Sequence, residues 1–228
     1  MYEQVTEKVK QLFHQKNVRR KYAKGKYLFQ EGMPVEELFY IHTGKIQISK
    51  VIPDGKELSL QICQSGDIIG EFTLFCPSTT YSLNGKMLED GEVFVLPKTE
   101  FEEALAADPS FTLEWLKWIQ LQNRRQQSKF RDLILHGKKG ALFSTLIRLV
   151  NSFGKEVEDG MLIDVKLTNQ QVANLCGTSR EVINRMLGDL KKNNIVSIKN
   201  GHIIVHDLEF LKREIDCENC PIDICRME

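Results

Sequence analysis

The sequence has no long apolar run, no net charge and no leader pattern at its N-terminus. Nowhere in its 228 residues is there an apolar stretch of about 18, the length that a membrane-spanning helix needs. The opening residues MYEQVTEKVKQLFHQKNVRR contain no apolar core of the signal-peptide type. Lys and Arg total 31, as do Asp and Glu. We therefore expect a cytoplasmic protein with no membrane partner, in which any positive surface is local.

Motifs of the common enzyme classes are also missing. The chain carries no P-loop, no catalytic triad and no paired acid/base motif, so we predict that it is not an enzyme. Cysteine is absent from residues 1–62, and three of the six cysteines fall within residues 217–225. In a chain expected to be cytoplasmic, such cysteines indicate a metal site, redox chemistry or simple burial rather than a disulfide framework.

Residues 167–190, LTNQQVANLCGTSREVINRMLGDL, predict two short helices joined by a tight turn. Thr168 is a suitable N-cap for the first helix, and Gln171 completes a capping box with it. Gly177 suits the turn because glycine adopts a positive φ without a side-chain clash.

The second helix is predicted to begin at Thr178 or Ser179, and Glu181 would form a second capping box with Thr178. At about 100° per residue, its apolar side chains share one face and its polar side chains the other. The polar face offers Arg, Asn and Glu, which can read guanine, adenine and cytosine in the major groove. An ordinary helical hairpin with a solvated charged face is the alternative. The candidate DNA-binding residues are Ser179, Arg180, Glu181, Asn184 and Arg185.

The next segment, IVSIKNGHIIVHD, predicts a β-hairpin because Asn200-Gly201 strongly favours a two-residue turn. Two helices followed by a hairpin are the layout of a winged helix-turn-helix. Between residues 168 and 200, five basic residues outnumber two acidic ones, which gives a local net charge of +3. The positive field of this neutral chain is therefore concentrated on the element predicted to bind double-stranded DNA.

The phrase TSREVINR followed by a wing, at the C-terminal end of a chain near this length, resembles the Crp/Fnr family of bacterial transcription regulators. The resemblance implies a homodimer that binds a DNA palindrome, with RNA polymerase as a further partner. Arg180, Glu181 and Arg185 match the recognition-helix pattern of the catabolite-activator branch. The Fnr branch usually has Glu followed by Ser-Arg, whereas Asn184 precedes Arg185 here. The resemblance thus implies a TGTGA half-site rather than a TTGAT half-site.

From Val18 to about Leu96, short β-rich runs alternate with glycine turns, as in an all-β sandwich or barrel. The phrase YLFQEGMPVEELFYIHTGKIQIS resembles the cyclic-nucleotide-binding β-roll. In that roll a Gly-Glu pair lies at the ribose, and an Arg-Ser pair that follows it holds the cyclic phosphate. This chain has the Gly70-Glu71 pair, but the next basic residue along the sequence is Lys86. A buried phosphate without a positive partner is costly. We therefore expect an inherited scaffold with a structural Glu71, and we do not expect cAMP to be a ligand.

A long helix is predicted from near Pro109 to about Leu135, followed by a break at Gly137 and Gly140 that we take as a hinge. Within it, candidate dimer-interface residues follow the alternating spacing of three and four that is typical of a coiled-coil seam. The family resemblance makes this the dimerisation helix, and a single helix packed on the roll is the alternative. The seam residues are Leu116, Ile119, Asn123, Gln126, Phe130 and Leu133.

The chain ends in REIDCENCPIDICRME, which brings Cys217, Cys220 and Cys225 close together. This spacing is compatible with an iron–sulfur cluster, with zinc, or with a thiol switch between the first two cysteines. A cluster or a zinc ion would want a fourth ligand. The remaining cysteines are isolated in apolar surroundings, and we predict them to be buried thiols. They are Cys63, Cys76 and Cys176.

Within the family, this triplet resembles the Fnr regulators of Gram-positive bacilli, which bind an oxygen-labile 4Fe-4S cluster through C-terminal cysteines. The resemblance implies a 4Fe-4S cofactor and a fourth ligand that is an oxygen donor rather than a cysteine. Candidates are Asp132, His136, Asp216 and Asp223. We favour Asp132 because it would lie at the end of the dimerisation helix, next to the hinge.

We thus predict an α+β chain in four parts. These are a cyclic-nucleotide-binding-like β-roll (residues 1–106), a long dimerisation helix with its hinge (107–137), a winged helix-turn-helix (138–210) and a cysteine-rich cluster-binding tail (211–228). The predicted function is oxygen-responsive regulation of anaerobic metabolism by a homodimer that binds DNA while its cluster is intact. The alternatives are a small-molecule-responsive regulator with a zinc or thiol-switch tail, and an iron–sulfur electron carrier.

Overall fold

The computed structural model of the protein describes residues 2–77 and 79–228. The chain divides into two compact units. One runs up to residue 120 and includes residue 228, and the other comprises residues 121–227. Within the described part of the chain, every helix is too short or too polar to cross a bilayer.

The first unit contains the β-roll that the glycine-punctuated strands predict. Helix α1 (Tyr2–Lys16) precedes eight strands, and helix α2 (Lys98–Ala107) follows them. The strands are β1 (Arg19–Tyr22), β2 (Tyr27–Phe29), β3 (Glu37–Thr43), β4 (Ile46–Val51), β5 (Glu57–Cys63), β6 (Ile68–Ile69), β7 (Asn84–Met87) and β8 (Gly91–Pro97). They form two antiparallel four-stranded sheets, in the orders β1-β8-β3-β6 and β2-β7-β4-β5.

Strand β3 is buried on both faces because its side chains alternate between two cores. Phe39 and Ile41 point into the interior of the roll. Leu38 and Tyr40 pack on the other side, in a core that also contains Trp115. The sheet therefore lies between the roll interior and a second, helix-containing layer.

Helix α3 (Pro109–Phe153) begins at the predicted proline and is interrupted at Gly137, whose backbone has φ 57° and ψ −151°. That conformation is essentially restricted to glycine. The prediction that Gly140 also breaks the helix was wrong, because α3 is helical again there and Gly140 is buried. After the break, α3 continues as a buried helix.

The remaining elements form the winged helix-turn-helix. They are β9 (Gly154–Val157), β10 (Gly160–Ile163), α4 (Asn169–Leu175), α5 (Arg180–Lys192), β11 (Val196–Lys199), β12 (His202–Val205) and α6 (Leu208–Arg213). The four strands form one sheet in the order β11-β12-β10-β9. Asn200 and Gly201 close the wing with φ 53° and 82°, as the two-residue turn predicts.

Two glycine substitutions test the backbone assignment of α3 and α5. Gly137→Ala should destabilise the fold by about 1–3 kcal/mol because alanine is strained at that φ and ψ. Gly188→Ala should stabilise it by about 0.5–1 kcal/mol, since Gly188 lies inside α5 and an added Cβ would meet nothing within 4 Å. Urea denaturation of the two variants measures both effects. Equal free energies of unfolding for Gly137→Ala and Gly188→Ala would contradict the break at Gly137.

Candidate cluster site and nucleic-acid interface

Three cysteines of the tail and a carboxylate of α3, which is distant from them in sequence, border one small cavity in the second unit. Cys217, Cys220 and Cys225 line a cavity of about 30 Å³ together with Asp132. Of the other candidates for a fourth ligand, His136 and Asp216 also line it, whereas Asp223 is not among its lining residues. The cavity therefore brings the three tail thiols to the carboxylate favoured from the sequence.

The tail reaches this cavity through two tight turns. Asp216 and Asn219 adopt φ 46° and 50°, a left-handed conformation that Asp and Asn tolerate better than most residues. The amide of Cys217 donates to the Lys212 carbonyl at 3.0 Å, which folds the first turn back onto the end of α6. The amide of Cys225 donates to the Pro221 carbonyl at 3.1 Å, which closes the second turn.

Asp132 is a buried carboxylate with both oxygens hydrogen-bonded. Oδ1 accepts from Arg131 Nη2 at 2.9 Å, and Oδ2 accepts from Ser144 Oγ at 2.5 Å and Arg148 Nη2 at 2.8 Å. Burial alone would raise the pKa of Asp132. The hydrogen bonds from Ser144, Arg148 and Arg131 outweigh burial and hold that pKa below its usual value. The cavity therefore contains an ionised oxygen donor.

The three thiols are close enough to influence one another. Burial raises the pKa of the Cys225 thiol, and the neighbouring Cys217, Cys220 and Asp132 add to the increase while Arg148 opposes it. Arg131 Nη2 lies 4.0 Å from Cys220 Sγ, a contact that suits a negatively charged sulfur.

This donor set fits an iron–sulfur cluster. Among the side chains that the structure describes, those of residues 7–77 and 79–228, no three from His, Cys, Asp or Glu converge on the position of one metal ion. A cuboidal cluster binds each ligand through a different iron, so its ligands are spread around one cavity. Three thiols and one ionised carboxylate around a shared cavity match that requirement.

Helix α5, the second helix of the helix-turn-helix, has the two faces that its sequence predicts. Ile183, Leu187 and Leu190 are buried at its back. All four polar residues predicted for its front are exposed, namely Arg180, Glu181, Asn184 and Arg185. The front of α5 is therefore available to a ligand.

The predicted capping box between Thr178 and Glu181 was wrong. Ser179 is the N-cap of α5, and its Oγ accepts from the Val182 amide at 3.4 Å. Glu181 is thus one residue too early to be the third helical residue, and a hydrogen bond with Ser179 lowers the pKa of Glu181. In contrast, the capping box between Thr168 and Gln171 in α4 is confirmed.

Two polar residues near these sites were missed from the sequence. Asn169 Nδ2 donates to Asn184 Oδ1 at 2.6 Å and orients that side chain. No periodicity connects positions so far apart. Arg148 donates to Asp132 from the mostly apolar, buried part of α3 that follows the break. A single arginine in such a segment was an available clue, because a buried charge needs partners.

Along α3, the seam residues differ in exposure. Leu116, Phe130 and Leu133 are 52%, 65% and 41% exposed, and Asn123 is also exposed. Ile119 and Gln126 are partly buried, and Ile119 packs against the core that contains Trp115. Further exposed apolar side chains on the same helix are Leu113, Ile134 and Leu135. Large exposed apolar side chains of this kind are typical of an interface.

Two of the three isolated cysteines are buried as predicted, namely Cys63 and Cys176. Burial raises the pKa of Cys176 to about 12. Cys76 contradicts the prediction, since it is exposed in the loop between β6 and β7 rather than on a strand.

In the same loop region, Glu71 accepts hydrogen bonds from the amide and hydroxyl of Ser82 at 2.9 and 2.7 Å.

Comparisons with known proteins match both parts of this architecture. Residues 19–108 match the cyclic nucleotide-binding domain, and residues 141–214 match the Crp-like helix-turn-helix domain. The anaerobic regulatory protein of Bacillus subtilis is 52% identical over 93% of this chain and 90% of its own length. The chain belongs to the Crp/Fnr family of transcription regulators.

Two more distant matches are a related sequence and a solved structure of the same fold. A CRP-like cAMP-activated global transcriptional regulator of Mycobacterium tuberculosis is 26% identical over 84% of this chain and 85% of its own length. The structure of FixK2 from Bradyrhizobium japonicum superimposes with a TM-score of 0.75 at 16% identity, covering 86% of this chain and 96% of that one. Crp-family regulators bind DNA, act as dimers and are not enzymes, so this chain is a DNA-binding transcription regulator.

The identity of the α5 cap can be tested by substitution. Ser179→Ala should lower the free energy of unfolding by about 0.5–2 kcal/mol, because it removes an N-cap acceptor. Thr178→Val should not destabilise the protein, since Thr178 Oγ1 has no hydrogen-bond partner in the described structure. Chemical denaturation measures both, and Ser179→Asp should restore the lost stability. Destabilisation by Thr178→Val alone would assign the cap to Thr178.

Proposed function

We propose that this regulator responds to oxygen, controls anaerobic metabolism and binds a TGTGA-type palindrome as a homodimer while its tail holds an intact 4Fe-4S cluster. The observation that carries the proposal is the cavity shared by Asp132 and the three tail cysteines. Its donor set suits an iron–sulfur cluster. The 52% identity to a protein named anaerobic regulatory protein supports the same physiological setting.

In this proposal Cys217, Cys220 and Cys225 provide thiolate ligands and Asp132 provides an oxygen ligand. A 4Fe-4S cluster held by these residues would supply an oxygen-labile link between the tail and helix α3. A carboxylate is a harder donor than a thiolate and matches iron–sulfur chemistry less well, so Asp132 would be the ligand most easily lost. The tail would thus be tied to Asp132 under anaerobic conditions and released there by oxygen.

Contacts near Gly137 support a route from the tail to the helix break. Asp132 lies just before Gly137, and Lys139 just after it forms an ion pair with Glu214 at the end of α6. The Lys139 ammonium also lies 5.5 Å from the Phe143 ring centroid, and Phe143 contacts Phe210 of α6. The segment that carries the cysteines therefore contacts α3 on both sides of its break.

Release at Asp132 would change the preferred geometry of this break and so the placement of the recognition helices. A dimer that reads a palindrome needs these helices about 34 Å apart, one turn of DNA. A coupling free energy of about 1–3 kcal/mol between the tail and the recognition helices would be sufficient, since it changes the affinity for DNA by about 5–150-fold. We propose that the exposed face of α3, including Leu116, Asn123 and Phe130, forms the dimer contact that maintains this spacing.

At the DNA, Arg180, Glu181 and Arg185 are proposed to read base edges, with Ser179 and Asn184 beside them. Their exposure on one face of α5 supports this role. The local excess of basic residues supplies attraction to phosphates without sequence preference. RNA polymerase is a proposed further partner, and cAMP is not part of the proposed mechanism.

Base reading by Arg185 can be tested on paired DNA sites. Arg185→Ala should weaken binding to a TGTGA palindrome by about 1–3 kcal/mol and relax the preference at one base position. Fluorescence anisotropy on the palindrome, on single-base variants and on a scrambled duplex measures the change at fixed salt. Equal loss of affinity on every duplex would indicate a phosphate contact and would contradict base reading.

The oxygen-sensing proposal is tested on protein purified without oxygen, with iron, sulfide, zinc and DNA affinity measured before and after exposure to air. Specific affinity should fall as iron and sulfide are lost. Cys217→Ser or Cys225→Ser should lower cluster content and abolish the response to air, while the matched control Cys76→Ser should retain both.

Two results would reject the proposal. Protein that contains zinc, or no metal, and binds equally well in air would indicate a regulator whose signal comes from elsewhere. Reversible electron transfer without specific DNA binding would indicate an electron carrier.

A further inference from the structure

Arg148 is a buried cation that the proposed mechanism has not used. It is 2% exposed, although arginine is rarely buried unless it is paired. Its guanidinium donates to three side chains and one carbonyl. The acceptors are Asp132 Oδ2 at 2.8 Å, Ser128 Oγ at 2.9 Å, Ser144 Oγ at 3.1 Å and the Ile224 carbonyl oxygen at 3.1 Å.

These four acceptors lie on three segments of the second unit. Ser128 and Asp132 precede the break at Gly137, Ser144 follows it, and Ile224 belongs to the tail. A guanidinium presents its donors in one rigid plane, so a single Arg148 side chain fixes the three segments relative to one another. A lysine ammonium lacks that planar arrangement.

The last residues of the tail are attached through their backbone. Four further side chains of α3 bind the main chain of residues 223–227, and none of these bonds uses a thiol or the Asp132 carboxylate. The contacts are Arg125 Nε to the Asp223 carbonyl at 2.6 Å, Lys129 Nζ to the Met227 carbonyl at 2.9 Å, Asn151 Nδ2 to the Cys225 carbonyl at 2.7 Å, and the Met227 amide to Ser152 Oγ at 2.9 Å.

The loop of residues 217–220 is held differently. Arg131 forms an ion pair with Glu218, whose side chain is 63% exposed, and lies 4.0 Å from Cys220 Sγ. Exposed ion pairs contribute little to stability and are screened by salt. In this loop the cysteine side chains themselves are the groups best placed to add a strong attachment.

We propose that Arg148 is a positioning residue that keeps the tail docked and the Asp132 carboxylate in the cavity when no cluster is bound. Loss of the cluster then frees residues 217–220 but leaves residues 223–227 in place. The site stays assembled for reloading, and the released part of the tail is short. This inference rests on the proposed function, because it takes Asp132 and the tail cysteines as the ligands.

The test is cysteine alkylation in metal-free, full-length protein under anaerobic conditions. The rate of reaction with iodoacetamide is followed for each cysteine by mass spectrometry, at one pH, in wild type and in Arg148→Met. Cys176 is an internal reference because it is 2% exposed within the same unit, so its reaction reports general unfolding. Lys129→Met is the matched control, since it removes a tail contact that does not involve Asp132.

In wild type, Cys217 and Cys220 should react faster than Cys225. Arg148→Met should increase the rate at Cys225 by about tenfold or more through local opening, with Cys176 still protected. Lys129→Met should cause a smaller increase. An unchanged rate at Cys225 in Arg148→Met, or an increase no larger than in Lys129→Met, would overturn the proposal.

A second variant is needed because Arg148→Met leaves a buried carboxylate without its partner and could unfold the unit, which Cys176 would report. The variant Asp132→Asn/Arg148→Met removes both charges. Release of Cys225 in this variant, with Cys176 protected, supports the proposal, and continued protection of Cys225 overturns it. If wild type takes up no iron and sulfide, the cluster assignment is rejected. The Arg148 proposal is then still decided by the alkylation rates, because these are measured without metal.

Discussion

The buried charge of Arg148 constrains how the second unit is assembled. A guanidinium at 2% exposure must find acceptors, and it finds them on the helix before Gly137, on the helix after it and in the tail. Removing one partner of such a pair typically costs about 3–5 kcal/mol, because the other charge is left uncompensated. These segments are therefore strongly favoured in one arrangement, which also places Asp132 beside the tail thiols. The candidate cluster site depends on this arrangement.

The proposed recognition and sensing functions make opposite demands on polar groups. On α5 the polar face stays exposed, and the helix is held by its apolar back and by the Ser179 cap. Around the tail, polar groups are buried and bonded to one another, so their geometry is fixed. The first arrangement suits a partner that arrives from solution, and the second suits a labile group that must be held by the chain. The break at Gly137 lies between the positions that contribute Asp132 and Arg148.

Local patterns predicted most of the fold but only part of the site. The capping box at Thr168, the turn at Asn200-Gly201 and the alternating strands of the roll depend on neighbours in sequence, and each of these predictions is confirmed. The cavity depends on Asp132, Arg148 and the tail meeting in space, which no periodicity encodes. Asp132 was favoured through the family resemblance and its position beside the hinge. The sequence left the α5 cap open between Thr178 and Ser179, because adjacent hydroxyl residues can both cap a helix, and only the capping box with Thr178 was wrong. Cys76 was misjudged because its apolar neighbours form a loop.

We propose that the tail and the break at Gly137 are physically coupled through the cavity. Hydrogen–deuterium exchange of wild type tests this coupling when anaerobic, iron- and sulfide-loaded protein is compared with metal-free protein. Residues 132–148 and 217–220 should be more protected in the loaded protein, and residues 223–227 should be protected in both forms. Loaded protein that exchanges around Gly137 at the metal-free rate would contradict the coupling.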